Sequence, residues 1–174
     1  IIELDPGMAF GTGTHETTMM CIQKLEQYLK KDDVVFDVGC GSGILSIAAA
    51  KLGAEKVIGV DLDAVSVESS RKNVAMNNVE NIVQVREGNL FDVIDEKADL
   101  IVSNIVAEII IDMTKNIKKY LNRDGIFISS GIILEKVDLV KESLESQGFV
   151  IVETYDMNDW ACIVSKFAKD EEHE

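Results

Sequence analysis

A chain of 174 residues is long enough for one domain with a sizeable core and too short for two domains of ordinary size. Apolar residues make up 47% and charged residues 28%, close to the globular average, so the composition argues against a disordered chain. The formal net charge of −14 disfavours a nucleic-acid partner, because phosphate binding needs clustered Lys and Arg, and it suits a basic protein partner better.

The sequence predicts neither a membrane segment nor a leader peptide. No apolar run approaches the ~20 residues of a membrane-spanning helix, and the opening Ile1-Ile2-Glu3 lacks a basic segment leading into an apolar one. The three cysteines (Cys21, Cys40 and Cys162) are scattered without metal-ligand spacing, and only two histidines are present. We therefore expect a chain of a reducing compartment, the cytoplasm, and no metal site.

Strand and helix patterns alternate along the chain from Val34 onward. Continuous apolar runs predict strands buried on both faces, and apolar residues at helical spacing predict the helices between them. The predicted strands are 34–38, 57–61, 82–86, 100–104 and 126–130; helices are predicted over 42–52 and 64–77, from Ile105 to Leu121 and from Val137 to Leu144, with a turn over 122–125.

The last two apolar runs, 149–155 and 160–167, follow each other without an intervening helix. They are predicted to pair antiparallel around the turn signal at 156–159. Alternating units before this hairpin imply a parallel sheet with helices on both faces and right-handed crossovers. The predicted fold is therefore α/β and Rossmann-like, with a mostly parallel seven-stranded sheet and a C-terminal antiparallel hairpin.

The first buried run ends in a glycine-rich segment, Asp37-Val-Gly-Cys-Gly-Ser-Gly43, which opens the next helix. Glycine lets the chain turn tightly and lets a ligand lie against bare backbone, while the helix start presents unsatisfied N–H groups. Dinucleotide sites begin similarly, with G-x-G-x-x-G, but here the third glycine comes one residue early. The spacing of Gly39, Gly41 and Gly43, with Asp37 ahead of them, resembles the first motif of class I S-adenosylmethionine-dependent methyltransferases.

Asp61 closes the second predicted strand, where a carboxylate can accept hydrogen bonds from both ribose hydroxyls. A helix cap is the alternative role, but Asp63 stands at the better capping position before Ala64. In class I methyltransferases the loop after the third strand meets the adenine. Asn89 is the first candidate for that contact and Asp92 the second, with a plain Asx turn as the alternative.

Asn104 ends the fourth predicted strand, at the edge where ligands bind in open α/β sheets. Related amide and adenine methyltransferases carry Asn-Pro-Pro-Tyr there, whereas this chain has Asn104-Ile-Val-Ala107, which disfavours a planar substrate and leaves an aliphatic amine open. Asn104 is the candidate catalytic residue, holding a neutral amine. His15 and Glu108 are further polar candidates, although a loop or capping role suits His15 as well, and Cys40 is interpreted as a small residue between glycines.

The N-terminal loop over 5–14 is dense in glycine and hydroxyl residues and contains no Lys or Arg, which disfavours a phosphate-binding loop. Physically it is predicted to be a mobile lid, with Thr14 as a cap of the following helix. This loop and four further segments resemble the ribosomal protein L11 methyltransferases of the PrmA type, and the similarity covers essentially the whole chain. Those segments are the glycine-rich one, Val60-Asp-Leu-Asp63, Ser103-Asn-Ile-Val-Ala107 and Ser130-Gly-Ile132.

The resemblance implies S-adenosyl-L-methionine as the cofactor, with contacts from Thr18, Gly39, Asp61 and Asn104. It implies methyl transfer to lysine side-chain or N-terminal amines of a basic ribosomal protein of the large subunit, with no direct nucleic acid and no membrane. It also assigns residues 1–14 to the end of a linker and the lid, 15–168 to the methyltransferase domain and 169–174 to a charged tail. The N-terminal recognition domain of the family is absent from this sequence.

Three alternative functions stay open on the sequence. The first is a methyltransferase acting on RNA or a small molecule, although the weak basic clustering, at 30–31 and 118–119, counts against RNA. The second is a nicotinamide-dependent oxidoreductase, which the glycine spacing opposes. The third is an S-adenosylmethionine-binding domain that lacks its recognition module and methylates nothing.

Overall fold

The computed structural model describes residues 15–169. Within that range, helices and strands alternate as far as a final pair of strands. The strands are β1 (Val34–Val38), β2 (Lys56–Asp61), β3 (Val83–Glu87), β4 (Ala98–Asn104), β5 (Leu121–Ile133), β6 (Phe149–Met157) and β7 (Trp160–Phe167). The helices are α1 (His15–Tyr28), α2 (Ile44–Lys51), α3 (Ala64–Met76), α4 (Ala107–Thr114) and α5 (Val137–Ser146), and short 3₁₀ turns lie at Ile117–Lys119 and Leu134–Lys136.

The strands form one seven-stranded sheet in the order β3-β2-β1-β4-β5-β7-β6. The first five strands in the chain pair parallel with their neighbours, and β7 pairs antiparallel with β5 and β6. The direction of winding reverses between β1 and β4, which is the switch point where ligands bind in such sheets. The predicted Rossmann-like fold with its closing hairpin is confirmed.

Each face of the sheet has its own apolar core, because successive residues of the buried strands point to opposite faces. In β1, Val35 joins the core that is covered by α1, α2 and α3. Its neighbour Phe36 joins the core on the other face, which is covered by α4, α5 and the segment after β3. Helices on both faces, as predicted, leave the carboxyl edge of the parallel strands as the open side of the sheet.

The helix predicted from Ile105 to Leu121 is wrong in its extent. Helix α4 covers only Ala107–Thr114, a 3₁₀ turn follows at Ile117–Lys119, and Leu121 already begins β5. Ile105, Ile117 and Leu121 are nevertheless buried in the same core as α4. The apolar spacing therefore continued past the helix because the flanking segments pack against the same face of the sheet.

The turn predicted over 122–125 is not a break between elements, since β5 runs through it. β5 pairs with β4 at Leu121 and again at Ile126, and the residues between them bulge opposite Asp99. The side-chain amide of Asn122 donates to Asp99 Oδ1 (2.9 Å), which holds the bulge against the neighbouring strand. The polar turn residues therefore mark a bulge in one long strand.

The helix predicted over 42–52 also begins later than expected, at Ile44, because Gly43 adopts φ +87° as its N-cap. The predicted linker end and lid over 1–14, with the Thr14 cap, and residues 170–174 of the predicted tail lie outside the described residues. Among the helices that the structure describes, none is long and apolar enough to cross a membrane.

Candidate functional site

A cleft of about 400 Å³ opens at the carboxyl ends of β1, β2 and β4. Three of the predicted cofactor-binding residues after β1 and β2 lie in its wall, namely Gly39, Gly41 and Asp61, and Asn89 joins them from the loop after β3. The remaining lining residues, which sequence reasoning did not single out as ligand contacts, are Val60, Leu62, Asp63, Ser66, Gly88, Leu90, Ile105, Ile109 and Asp112.

The glycine-rich loop folds back onto the end of β2 through its backbone. The N–H groups of Gly39 and Cys40 both donate to the Val60 carbonyl oxygen, at 2.7 and 2.9 Å. Gly39 and Gly41 have φ values of +81° and +53°, in the left-handed region that glycine adopts without a side-chain penalty. The loop therefore presents bare backbone to the cleft, as the sequence predicted for a ligand-binding turn.

Two side chains of α3 hold the loop from behind. Ser70 Oγ donates to the carbonyl oxygen of Gly41 (2.6 Å), and Asn73 Nδ2 donates to that of Ser42 (2.8 Å). A Cβ on Gly43 would lie 3.1 Å from Ser70 Oγ, so α2 and α3 meet closely at this glycine. Ser70 and Asn73 are fully buried, and the only sequence signal for them was a pair of polar residues within a helix packed on the sheet.

Asp61 binds two backbone N–H groups of the cleft. Its Oδ2 accepts from Gly41 N (2.8 Å) and its Oδ1 from Asp63 N (2.9 Å). A carboxylate offers about four acceptor positions, so each oxygen keeps capacity for a ligand hydroxyl. Asp63 caps α3 through Val65 N (3.2 Å), which confirms the capping role predicted for it and leaves Asp61 to the cleft.

Asp37, which was also predicted to bind the cofactor, lies fully buried at the end of β1. Ser46 Oγ donates to its Oδ2 (2.8 Å), whereas its Oδ1 has no hydrogen-bond partner among the described residues. Burial raises the pKa of Asp37 to about 7, against the opposing effect of the Ser46 hydrogen bonds. A carboxyl in this state gains most from a cation brought near it.

Asn89 is exposed on the cleft wall, in a tight turn after β3. Gly88 N donates to the Asp61 carbonyl oxygen (3.0 Å), and the N–H of Asp92 donates to that of Asn89 (3.1 Å). Leu90, with φ +55°, turns the chain between them and lines the same wall. The loop thus carries one polar and one apolar side chain to the far side of the cleft from the β4 end.

Asn104 ends β4 and is 7% exposed, next to the cleft-lining Ile105. The Ile105 N–H donates to the Ser130 carbonyl oxygen (3.1 Å), and Ser130 Oγ donates to the carbonyl oxygen of Thr17 at 3.4 Å. Ser130 therefore connects the end of β4 with the start of α1, where Thr18 is half-buried.

Glu108 and Cys40 lie outside the cleft lining. Glu108 is exposed on the first turn of α4 and pairs with Lys136 at 3.8 Å. Cys40 is buried between the glycines, where burial raises the pKa of its thiol, consistent with its interpretation as a small packing residue. In the range 15–169, no group of three or more His, Cys, Asp and Glu side chains is arranged to hold a metal ion.

Taken together, the cleft offers loop backbone, a carboxylate with spare acceptor capacity, and apolar walls formed by Leu62, Leu90 and Ile109. Leu62 is 68% exposed, the largest exposed fraction among the large apolar side chains of the described residues. Such a combination suits a flat ring against the apolar wall and vicinal hydroxyls on the carboxylate, which is the chemistry of a nucleoside.

Residues 1–168 match the sequence model of the family described as ribosomal protein L11 methyltransferase (PrmA). Curated relatives of similar sequence include ribosomal protein L11 methyltransferases of Alkaliphilus oremlandii, 60% identical, and of Clostridium botulinum, 59% identical, each over 166 residues. Both alignments cover 95% of this chain and 53% of the relative. The chain thus spans about half the length of the curated relatives it matches.

Solved structures agree with the sequence comparison. The crystal structure of a ribosomal protein L11 methylase from Lactobacillus delbrueckii subsp. bulgaricus superposes with a TM-score of 0.92 at 37% identity, covering 97% of this chain and 86% of that one. A precorrin-6y C5,15-methyltransferase from Geobacter metallireducens superposes with a TM-score of 0.76 at 16% identity, covering 97% and 94%. The second likeness concerns the fold alone.

Proposed function

Because the chain belongs to the ribosomal protein L11 methyltransferase (PrmA) family, we propose that it is the S-adenosylmethionine-dependent catalytic domain of such an enzyme. Its proposed substrates are lysine side-chain and N-terminal amines of a basic large-subunit ribosomal protein. The observation that carries the proposal is the cleft, in which Gly39, Gly41 and Asp61 form one wall and Ile105, beside Asn104, another.

The residues of the cleft fit the cofactor. The Asp61 carboxylate suits the ribose hydroxyls, and the Leu62 and Leu90 side chains suit the adenine faces, with Asn89 as its polar contact. Asp37 is buried and does not line the cleft, but the unpartnered Oδ1 of this carboxyl would attract the cationic end of a ligand bound there. At Gly39 a Cβ would lie 2.5 Å from Ile105 Cγ2, so the loop has room for a ligand only as bare backbone.

S-adenosylmethionine, when bound, supplies a methyl group on a sulfonium sulfur that departs as a neutral thioether. The chain's own task is to align an amine with that methyl group and to exclude water. A lysine amine, with a pKa of about 10.4 in water, must be neutral to attack, and apolar surroundings such as Ile105 and Ile109 favour the neutral form. The proposed role of Asn104 is to hold this amine through its side-chain carbonyl.

Charged residues on α4 and after β5, beside the proposed site of the acceptor amine, support a basic substrate. Glu108 and Asp112 on α4 and Glu135 after β5 are exposed at this edge, where Lys136 and Lys115 are the neighbouring cations. With a formal net charge of −14 on the whole chain, the field favours the approach of a lysine-rich protein over that of RNA. Since this chain spans 53% of the curated relative, we propose that the rest of such an enzyme contributes to recognition of the substrate.

We assign the chain to the cytoplasm on the state of its cysteines. Cys21, Cys40 and Cys162 are free and buried, and none is placed as a disulfide. A hydrogen bond with Cys162, together with burial, raises the pKa of the Cys21 thiol and keeps it unreactive. Free buried thiols are the usual state in a reducing compartment.

The decisive experiment incubates the chain with methyl-labelled S-adenosylmethionine and purified large-subunit ribosomal proteins. We expect label on a basic ribosomal protein, and we expect Asn104→Ala to lower the rate about 100-fold. The matched control is Asp124→Ala, which changes an exposed residue in the bulge of β5 at the opposite edge of the sheet. Label on ribosomal RNA and none on protein would overturn the substrate assignment.

A binding measurement tests the cofactor separately. Isothermal titration calorimetry with S-adenosylhomocysteine and with NAD should show binding of the first alone. Binding of NAD alone would replace the methyltransferase with an oxidoreductase. Binding of S-adenosylhomocysteine without any methylation, even when the recognition domain of a relative is added, would reduce the chain to a cofactor-binding domain.

A further inference from the structure

The carboxyl end of β5 contains a bulge beside Asn104. β5 pairs with β7 at Ser129 and again at Ile132, while β7 advances by only two residues, so Ser130 and Gly131 together oppose a single residue of β7. Gly131 is buried and has φ +83°. Bulges of this kind bend one strand and redirect its side chains, and they are frequent next to ligand sites.

Gly131 approaches the end of β4 more closely than any side chain would permit. A Cβ at this position would lie 2.7 Å from the Ile105 carbonyl oxygen, 2.9 Å from Asn104 Oδ1 and 3.1 Å from the Ile105 nitrogen. Two of these three atoms belong to the backbone, which cannot turn aside as a flexible side chain can. The absence of a side chain at Gly131 therefore sets the separation between β5 and the Asn104–Ile105 peptide.

The glycine-rich loop approaches the side chain of the same residue, Ile105. A Cβ on Gly39 would lie 2.5 Å from Ile105 Cγ2, and its φ of +81° belongs to the left-handed region too. Ile105 is thus close to one glycine of the loop after β1 and one glycine of β5, while its N–H donates to the Ser130 carbonyl oxygen (3.1 Å). One residue earlier, Ser103 Oγ donates to the Val38 carbonyl oxygen (2.7 Å), which joins β4 to β1 just below the loop.

A turn requirement alone does not explain both glycines. Gly53 and Gly148 also have positive φ values, +113° and +90°, yet the nearest atoms to their added Cβ would be 3.8 and 3.5 Å away. At those two sites glycine serves the backbone conformation only. At Gly39 and Gly131 glycine serves the conformation and a close approach as well, and both approaches converge on Ile105.

We propose that Gly131 and Gly39 are positioning residues that clamp Ile105 from two sides and thereby fix Asn104 relative to the ligand in the cleft. The proposal rests on the proposed function, in which Asn104 holds the acceptor amine. A side chain at position 131 would press on Asn104 Oδ1 itself, so we expect its effect to fall on the chemical step. Gly39 also belongs to the cofactor wall, so its replacement affects binding of the cofactor as well.

The test replaces Gly131 by Ala and measures kcat, the KM for the acceptor protein and the Kd for S-adenosylhomocysteine. A displacement of Asn104 by a fraction of an ångström to 1 Å should lower kcat about 100-fold, with the Kd for S-adenosylhomocysteine changed less than threefold. Gly148→Ala is the matched control, because it introduces the same left-handed strain at the opposite edge of the sheet without a close contact. It should lower the melting temperature comparably and leave kcat within twofold.

A double-mutant cycle separates positioning from general destabilisation. If Gly131 acts through Asn104, then Gly131→Ala should slow the Asn104→Ala enzyme less than threefold, although it slows the parent about 100-fold. An equal loss in both backgrounds would overturn the clamp and leave the catalytic role of Asn104 intact. An Asn104→Ala enzyme with unchanged kcat would instead refute the proposed role of Asn104, and the clamp with it.

Ile105→Ala tests the clamp without introducing backbone strain. It can therefore replace Gly131→Ala if that variant does not fold. It removes the Cγ2 that fills the space against Gly39, and Asn104 should lose its fixed position while both glycines stay. We expect kcat to fall about tenfold in the parent and less than twofold in the Asn104→Ala background. An equal fall in both backgrounds would overturn the proposal by this second route.

Discussion

The half of the sheet formed by β1, β2 and β3 differs from the half formed by β4 to β7 in how its edge is held. In the first half the pairing of strands is regular throughout, and side chains of the neighbouring elements bind the loop backbone, as Asp61 and Ser70 bind Gly41. In the second half each of the three pairings between β4 and β6 contains a register shift.

The two halves of the sheet therefore make different contributions to the site. The first half builds a ligand wall from the turns that directly follow three regularly paired strands, and the conformation of each turn is set by its own residues. The second half adjusts the position of Asn104 through bulges, which depend on how distant strands are paired. Substitutions in the first half should therefore reduce affinity for the cofactor, and substitutions in the second half should reduce stability or the rate of transfer.

The largest effect that this division predicts is on Asp61. In Asp61→Ala, the ribose and the N–H groups of Gly41 and Asp63 all lose their acceptor, so the Kd for S-adenosylhomocysteine should rise at least 100-fold, about 3 kcal/mol. Isothermal titration calorimetry measures this Kd. Asp63→Ala removes the cap of α3 and the acceptor of Ser66 Oγ, so it should cost about 1 kcal/mol of stability and raise the Kd a few-fold at most. Equal losses of affinity would contradict the separate roles of the two carboxylates.

A smaller effect, dependent on pH, is expected at Asp37. Its pKa of about 7 in the folded chain exceeds its ordinary value, so ionisation opposes folding. Relative to Asp37→Asn, the parent should therefore lose stability as pH rises from about 4 to about 7. Above pH 7 the difference in unfolding free energy between the two chains should stay constant. The pKa difference limits this pH-dependent loss to at most about 4 kcal/mol, and the hydrogen bond from Ser46 is already included in that pKa.

Urea unfolding of the parent and of Asp37→Asn at several pH values measures the difference in their unfolding free energies. The same ionisation should favour a cationic ligand, so the affinity of the parent for S-adenosylmethionine should rise between pH 6 and 8, while that of Asp37→Asn rises less. A stability gap that does not change between pH 4 and 8 would show that Asp37 ionises normally.

The smallest effect is expected in the second half, at Lys24. Its ammonium group pairs with Glu153 and lies 4.8 Å from the ring centroid of Tyr155, and the pairing lowers the pKa of Glu153. Burial and the hydrogen bond to Glu153 raise the pKa of Tyr28 to about 12, so a second donor stays on the carboxylate. Lys24→Met should cost about 1–2 kcal/mol, with the Kd for S-adenosylhomocysteine within twofold of the parent.

The control for Lys24 is the more exposed pair of Lys56 with Glu96 (2.7 Å), which joins β2 to the segment after β3. Lys56→Met should cost less than about 0.5 kcal/mol, because solvent screens an exposed pair. Denaturant unfolding compares the two variants. If Lys24→Met weakened cofactor binding tenfold, the two halves of the sheet would not be independent.

What the sequence could predict follows the same division. The glycine-rich segment, Asp61 at the end of β2 and Asp63 as the cap of α3 each depend on residues within a few positions of one another, and all three were predicted. The bulge at Ser130 and Gly131 and the contacts of Ser70 and Asn73 were not predicted. They exist only once strands and helices far apart in sequence have met.

The mistaken helix over 105–121 and turn over 122–125 have the same origin. Apolar spacing reports which residues face the core, and it does not report whether the backbone between them is helical or extended. The bulge of β5 looked like a turn because a bulge and a turn both need Asn, Asp and Gly. The long strand became visible only through its pairing with β4 on one side and β7 on the other.

The long-range hydrogen bonds of α1 constrain the order of folding during synthesis. Ser130 is 113 residues beyond its partner in α1, Thr17, and Glu153 is 129 residues beyond Lys24. These contacts cannot form until β5 and β6 have left the ribosome, although α1 precedes all the strands of residues 15–169. The three strands of the cofactor wall emerge earlier and pair with one another, so the cleft gains its floor before α1 settles on the sheet.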